Sequence, residues 1–301
     1  MSGVQQLVLS RRNPLRATPG LSWGPIDLPE RGTTWALDQA GPDPEAPTVV
    51  LLHGLAATGA LNWDPVIGTL VERFRVIALD HRGHGRGIEP YETFTLEDCA
   101  DDVAALLEVC GVRRAVLVGY SMGGAIAQLT AHRHPHRVAG LVLLATAARF
   151  QLPPGSEFVT RVLAEVDRYA GRLPVLGSST QDLPHAVQSL ATFDSRPWLG
   201  DRPVPATVLL TGQDRVVAPD LQRELAAVVA EGHTTDLDLG HLSVLVDQET
   251  IAEALLTACE AMAVEGGLRL RWWERPPWRI RRWSDQIEAW RQRRRHLAAP
   301  D

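Results

Sequence analysis

Short apolar runs recur along the chain and predict β-strands. A run of about four to eight apolar residues bounded by turn residues is typical of a buried strand. The predicted strands span 33–38, 48–52, 74–79, 114–118, 141–144, 204–210 and 234–239. Helical periodicity separates several of them, most clearly at 95–109, where Thr95 is the expected cap, and at 125–131. A turn rich in Pro, Gly and Asp at 41–47 predicts that the first two strands pair as a hairpin.

The pattern loosens after the strand at 141–144. Residues 147–203 contain two predicted helices, near 156–170 and 182–193, separated by a turn region. We expect apolar residues of this segment to roof a largely apolar pocket. The alternative, which we expect to hold for most of them, is that they only pack the cap helices together. These apolar residues include Phe150, Phe158, Leu163, Val166, Leu176 and Trp198.

Composition is ordinary for a globular protein. Of the 301 residues, 45% are hydrophobic and 22% are charged. The apolar stretch at 7–9 is short for a signal peptide, and we find no apolar run of about 18 residues that would predict a spanning helix. His81 and His84 lie in a glycine-rich segment that is predicted to be a surface loop, and Cys99, Cys110 and Cys259 lack metal-ligand spacing. We therefore expect a cytoplasmic protein without a metal site.

The C-terminal tail, residues 266–301, differs from the rest of the chain. It carries ten arginines and four acidic residues, a net charge of +6 in a chain of net charge −6, and five of the nine tryptophans. Trp283, Ile287 and Trp290 are spaced to share one face of a helix. The tail docks on the body of the protein, lies on an anionic membrane surface, or binds nucleic acid. A basic run alone is a weak signal for nucleic-acid binding, so we expect no nucleic-acid partner. Peripheral contact of the tail with a membrane stays open.

The segment Gly119–Gly124, with the sequence Gly-Tyr-Ser-Met-Gly-Gly, is typical of a nucleophile elbow. It follows a predicted strand and precedes a predicted helix. Gly119 and Gly123 allow the backbone to turn sharply, which lifts the Ser121 hydroxyl clear of the sheet. Ser121 is therefore the predicted nucleophile, and a glycine-rich turn without catalytic function is the alternative.

A serine hydroxyl needs a base, and the base needs an acid to orient it. In the fold that uses this elbow, the chain order is Ser, then Asp or Glu, then His. Asp214 follows the predicted strand 204–210, and His241 follows the strand 234–239. They are the predicted acid and base. A purely structural role for either residue, and Asp194 in place of Asp214 as the acid, remain open.

Two backbone N–H groups are expected to form an oxyanion hole. One belongs to Met122, directly after the nucleophile. The other is predicted to be that of Leu55, in the loop after the strand 48–52, where Gly54 allows the backbone to turn. His53 is expected to brace this loop by hydrogen bonding rather than to act in catalysis.

Together these motifs resemble the α/β-hydrolase superfamily, specifically its serine-hydrolase branch with a single inserted cap. The resemblance covers residues 21–263 and rests on His53-Gly54, Asp80–Gly85, Gly119–Gly124, Gly212–Asp214 and Gly240-His241. It implies an eight-stranded, mostly parallel sheet with helices on both faces and a helical cap after the sixth strand. It also implies cofactor-free hydrolysis through an acyl-enzyme. Related epoxide hydrolases and haloalkane dehalogenases attack through an aspartate at the elbow, so Ser121 excludes those branches.

The resemblance and the sequence patterns outside it together give the expected domain organisation. Residues 1–20 are a loose leader, 21–146 and 204–265 form the α/β-hydrolase core, 147–203 form the cap, and 266–301 form the basic tail.

The predicted function is hydrolysis of a carboxylic ester of a largely apolar small molecule. Lactonases, thioesterases, carbon–carbon bond hydrolases and cofactor-free perhydrolases use the same triad, so these activities are alternatives. A small-ligand-binding protein with a vestigial triad is the alternative from another class. The oligomeric state is left open.

Overall fold

A computed structural model describes residues 21–90, 93–151, 183–201, 204–229 and 232–269. Its strands are β1 (Trp23–Leu28), β2 (Gly32–Gln39), β3 (Thr48–Leu52), β4 (Arg75–Leu79), β5 (Ala115–Tyr120), β6 (Val138–Leu144), β7 (Ala206–Thr211) and β8 (His233–Leu237). They form one sheet in the order β1-β2-β4-β3-β5-β6-β7-β8. The pairs β1–β2 and β2–β4 are antiparallel, and the other pairs are parallel. The predicted eight-stranded, mostly parallel sheet is confirmed.

Helices connect the strands and cover the sheet. They are α1 (Gly59–Leu70), α2 (Leu96–Val109), α3 (Met122–Arg133), α4 (Leu183–Thr192), α5 (Pro219–Val228), α6 (Ser243–Val246) and α7 (Gln248–Glu265), with a short 3-10 helix at Pro135–Arg137. Helix α1 packs on α7, and α2 packs on α3. Every residue of β3 is buried, as expected for a strand that is covered on both faces. The Thr95 hydroxyl caps α2 as predicted, by accepting a hydrogen bond from the Asp98 N–H at 3.0 Å.

The opening hairpin consists of β1 and β2, so the hairpin predicted between strands 33–38 and 48–52 is wrong. Strand β4 lies between β2 and β3, where Ala36 pairs with Leu79 and Val50 pairs with Ile77. After α1 the chain returns as β4, which runs parallel to β3. Strand β4 thereby takes the place beside β3 that β2 would occupy in the predicted hairpin. Strand β1 carries Gly24-Pro25, which weakens its strand signal in the sequence.

The parallel strands end at one edge of the sheet. In the sheet register, Leu52 pairs with Gly119, and Thr211 pairs with Leu237. Segments that follow β3, β5, β7 and β8 therefore meet at this edge, which is where open α/β sheets place their ligands. Each segment carries one of the predicted residues His53, Ser121, Asp214 and His241.

The predicted cap is described in part. Helix α4 lies where the second cap helix was predicted, whereas the helix predicted near 156–170 lies outside the described residues. The leader at 1–20 and the tail from residue 270 also lie outside them, so these domain assignments stay predictions. Within the described ranges, no helix combines the length and apolar character that crossing a membrane requires.

Candidate active site

The elbow joins β5 to α3 at Ser121, whose backbone torsions are φ 53° and ψ −116°. A positive φ strains a residue that has a side chain, at a cost of about 1–3 kcal/mol. The Ser121 N–H donates to the Leu144 carbonyl at 3.0 Å, and the Ser121 carbonyl accepts from the Gly124 N–H at 2.9 Å. The Thr146 hydroxyl donates to the same Ser121 carbonyl at 2.8 Å. These contacts hold the serine in a conformation that clusters at functional sites.

The glycines of the elbow lie where no side chain fits. A Cβ on Gly123 would overlap the carbonyl of Leu52, and a Cβ on Gly119 would overlap the carbonyl of Gly123. Neither glycine has a positive φ. The elbow therefore needs these glycines for close approach to β3 and α3, rather than for a left-handed backbone.

We expect Gly123→Ala to lower the free energy of unfolding by about 3 kcal/mol, because the added methyl group forces the elbow away from β3. Gly68→Ala in α1 is the matched control, since nothing lies within 4 Å of a Cβ at that position. This control should raise the free energy of unfolding by about 0.5 kcal/mol. Urea unfolding followed by circular dichroism checks both values, and equal stability of the two variants would contradict the prediction.

The structure brings Ser121, His241 and Asp214 together. The His241 Nε2 lies 3.1 Å from the Ser121 Oγ, and its Nδ1 lies 2.8 Å from an Asp214 carboxylate oxygen. The three residues are 5–8% exposed. If Nδ1 donates its proton to the carboxylate, Nε2 is left to accept from the serine hydroxyl, and this network assigns the tautomer.

Further donors hold the Asp214 carboxylate. One oxygen accepts from two backbone N–H groups of the following turn, each at 2.8 Å. The oxygen that faces His241 also accepts from the Thr211 hydroxyl at 2.9 Å and from the Gln222 amide at 3.2 Å. Gln222 was not predicted, because a glutamine in an amphipathic helix has the same pattern whether it faces solvent or the interior. These contacts fix the carboxylate in front of the imidazole.

Asp194, the alternative acid, lies elsewhere. Its carboxylate pairs with Arg196 at 2.5 Å, and its side chain is 36% exposed. The hydrogen bond from Arg196 lowers the pKa of Asp194. Asp214, not Asp194, contacts His241 in the described structure.

The proposed oxyanion donors lie at the ends of β3 and β5. The Gly54 N–H donates to the Asn62 side chain at 3.0 Å, which leaves Leu55 as the donor candidate of this loop. Met122 is the first residue of α3, so its N–H lies at the positive end of the helix dipole. Neither the Leu55 nor the Met122 N–H has an acceptor among the residues that the structure describes. Their role at an oxyanion stays a prediction.

His53 links the loop after β3 to the segment after β4. Its Nδ1 contacts the Gly54 carbonyl at 2.8 Å, and its Nε2 accepts the His81 N–H at 2.9 Å. Burial lowers the pKa of His53 to about 4, and the hydrogen bond to the Gly54 carbonyl opposes this shift. The imidazole is therefore neutral at pH 7, with its proton on Nδ1.

This shift makes stability depend on pH. Because the folded pKa of His53, about 4, lies below the ordinary histidine pKa of 6.5, the unfolded chain binds the proton first as pH falls. The stability that His53 contributes is complete above pH 6.5 and is lost towards pH 4, by about 3 kcal/mol in total. We expect the difference in unfolding free energy between wild type and His53→Gln to shrink by this amount. Urea unfolding at each pH measures it, with exposed His136→Gln as the control; a constant difference would refute the prediction.

The polar side chains of the segment 80–85 are buried, so the prediction of a surface loop is wrong. Four residues of this segment are only 1–8% exposed, namely Asp80, His81, Arg82 and His84. Arg82 donates two hydrogen bonds of 2.7 Å to the carboxylate of Asp102, and this pairing allows the charges to be buried. No group of three or more His, Cys, Asp or Glu residues is arranged to hold a metal ion within the described ranges.

Two of the predicted cap aromatics are described. Phe150 and Trp198 both pack against Phe193, with ring centroids 6.0 and 6.2 Å apart. Phe150 and Phe193 belong to the hydrophobic core, and Trp198 packs against it. The other predicted pocket residues, Phe158, Leu163, Val166 and Leu176, lie outside the described residues.

Comparisons with known proteins agree with this architecture. The family model for the alpha/beta hydrolase fold matches residues 47–169. A relative from Serratia proteamaculans, named "Putative carbamate hydrolase RutD", is 28% identical over 244 residues, which cover 71% of this chain and 91% of that protein. The enol-lactonase from Burkholderia xenovorans LB400 has a TM-score of 0.64 at 26% identity, over 74% of this chain and 96% of the enzyme. A hydrolase from Pseudomonas aeruginosa has a TM-score of 0.65 at 25% identity, over 80% and 98% of the two chains.

The sheet order, the position of the elbow and these matches define a hydrolase fold. The family model and these neighbours support the α/β-hydrolase superfamily for this chain.

Proposed function

We propose that this protein is a serine hydrolase that cleaves a carboxylic ester of a largely apolar small molecule. The observation that carries the proposal is the hydrogen-bonded series Ser121–His241–Asp214, with the serine at a strained elbow. A serine becomes a competent nucleophile when a positioned base can take its proton.

In the first half-reaction, the Ser121 Oγ attacks the ester carbonyl carbon while its proton passes to the His241 Nε2. The N–H groups of Leu55 and Met122 stabilise the negative charge on the carbonyl oxygen. The bond from carbon to the alkoxy oxygen then breaks, and His241 gives its proton to the departing alcohol. The acyl group remains on Ser121.

In the second half-reaction, His241 takes a proton from water as the water oxygen attacks the acyl carbon. The ester bond to Ser121 breaks, the serine oxygen regains its proton from His241, and a carboxylic acid leaves. Asp214 holds the imidazole in the needed tautomer and stabilises its positive charge without taking the proton. The proposed steps use no cofactor.

The names of two similar proteins suggest two alternative classes of substrate, lactones and carbamates. A lactone would undergo the same steps and yield one hydroxy acid, and the similarity to an enol-lactonase favours testing it. A carbamate would release an amine or an alcohol as the leaving group, and the relative named as a carbamate hydrolase favours testing that class. Peripheral membrane contact through residues 266–301 and a cytoplasmic location stay predictions beside this proposal.

A fluorophosphonate probe tests the proposal directly. We expect one covalent adduct, which peptide mass spectrometry should assign to Ser121. Hydrolysis of p-nitrophenyl esters of increasing chain length would then define the acyl preference, with a lactone and an aryl carbamate measured beside them. A folded protein that takes no label and turns over none of these substrates would overturn the proposal and favour the ligand-binding alternative.

A further inference from the structure

Tyr120, the last residue of β5, contacts His241, the proposed base. It is 4% exposed, and its hydroxyl donates to the backbone carbonyl of His241 at 2.9 Å. The phenol and imidazole centroids are 5.3 Å apart, with the rings tilted by 37°. A single side chain therefore contacts both the backbone and the ring of the proposed base.

The same ring lies against the loop after β3, which carries Gly54 and the proposed oxyanion donor Leu55 and is called the oxyanion loop below. A Cβ on Gly54 would be 2.8 Å from the Cε1 of Tyr120, so the ring packs on the bare backbone of Gly54. On another side, the ring meets the buried Trp63 of α1 edge to face, with centroids 6.4 Å apart. The neighbouring Asn62 accepts the Gly54 N–H. Helix α1 thus supports both the phenol and the loop that it contacts.

We infer that Tyr120 is a positioning residue that sets the base and the oxyanion loop relative to the nucleophile. The inference rests on the proposed function. Tyr120 precedes Ser121 in the sequence, so the rigid strand that presents the nucleophile also fixes the His241 carbonyl and the Gly54 backbone. This arrangement ties three segments that are distant in the sequence to one aromatic ring.

The hydroxyl is the part of Tyr120 that can be tested. Among the described residues, no second donor to the His241 carbonyl is recorded. Removal of the hydroxyl leaves this acceptor buried and unpaired, which favours a shift of the loop that carries the imidazole. Catalytic geometry tolerates small displacements poorly. The effect should fall on kcat rather than KM, because the contacts between base, nucleophile and oxyanion strengthen in the transition state.

We expect Tyr120→Phe to lower kcat and the rate of fluorophosphonate labelling about tenfold or more, with KM within about threefold of wild type. Thr130→Val is the matched control. It removes a buried hydroxyl that donates to the Ile126 carbonyl at 2.8 Å, within α3 but away from the site. This control should keep the wild-type kcat and labelling rate, although it also removes a buried hydroxyl that donates to a backbone carbonyl.

Replacement of Tyr120 by 4-aminophenylalanine restores a donor on a similar ring and should recover most of the lost kcat. A crystal structure of Tyr120→Phe should show the distance from the His241 Nε2 to the Ser121 Oγ increased from 3.1 Å. Wild-type kcat in Tyr120→Phe, an equal loss in Thr130→Val, or an unfolded Tyr120→Phe chain would each overturn the positioning role. Failure of the proposed function would appear separately, as a wild-type protein that neither labels nor hydrolyses, and the crystallographic distance would still decide the role of Tyr120.

Discussion

Ser121→Ala is expected to lower kcat for the best ester substrate by about 10⁶-fold. The variant has no oxygen to form the acyl-enzyme, and the remaining rate would come from oxyanion contacts and substrate binding. Because the Ser121 Oγ is a small part of the buried site, the fold should persist. Circular dichroism and the urea midpoint would establish that the loss is chemical rather than structural.

The matched control for this prediction is Ser189→Ala in α4. Its hydroxyl donates to the Phe94 carbonyl at 3.2 Å and has no contact with His241. We expect Ser189→Ala to keep kcat within about twofold of wild type, as is usual for substitutions away from a site. A decrease of less than tenfold in Ser121→Ala would place the nucleophile elsewhere.

The residues of the proposed site can be predicted because each lies in a short motif at a strand end. The elbow signal occupies six consecutive residues, and the chain order of the acid and the base follows from the fold that the elbow defines. Because the strands are parallel, these residues lie together at the carboxyl ends of the strands, although Ser121 and His241 are 120 positions apart in the sequence. Local pattern and topology are sufficient for this part of the molecule.

Other features depend on tertiary contacts that no local pattern encodes. The segment 80–85 contains charges and glycines, as surface loops do, yet Arg82 is buried because Asp102 of α2 pairs with it. Gln222 contacts Asp214 through the packing of α5 on β7. The predicted pairing of strands 33–38 and 48–52 fails for a similar reason, because the position of β4 between β2 and β3 is decided by the whole sheet.

Asp214→Asn is expected to lower kcat by about 10⁴-fold while the site keeps its shape. Asparagine can present an N–H to the imidazole where Asp214 presents a carboxylate oxygen. The Nδ1 of His241 then accepts instead of donating, so the proton moves to Nε2, which can no longer accept from Ser121. The substitution also removes the negative charge that stabilises the imidazolium. Substrate binding does not use this contact, so KM should remain near the wild-type value.

Asp194→Asn is the matched control, because it is the other carboxylate that the sequence offers as the acid. Its partner is Arg196 at the surface, so its loss should change kcat by less than about threefold. Initial rates on one p-nitrophenyl ester, measured for both variants in parallel, separate the two assignments. A large loss in Asp194→Asn with an active Asp214→Asn would reverse them. If only Asp214→Asn loses activity, the acid of the site is the carboxylate that the end of β7 holds in front of His241.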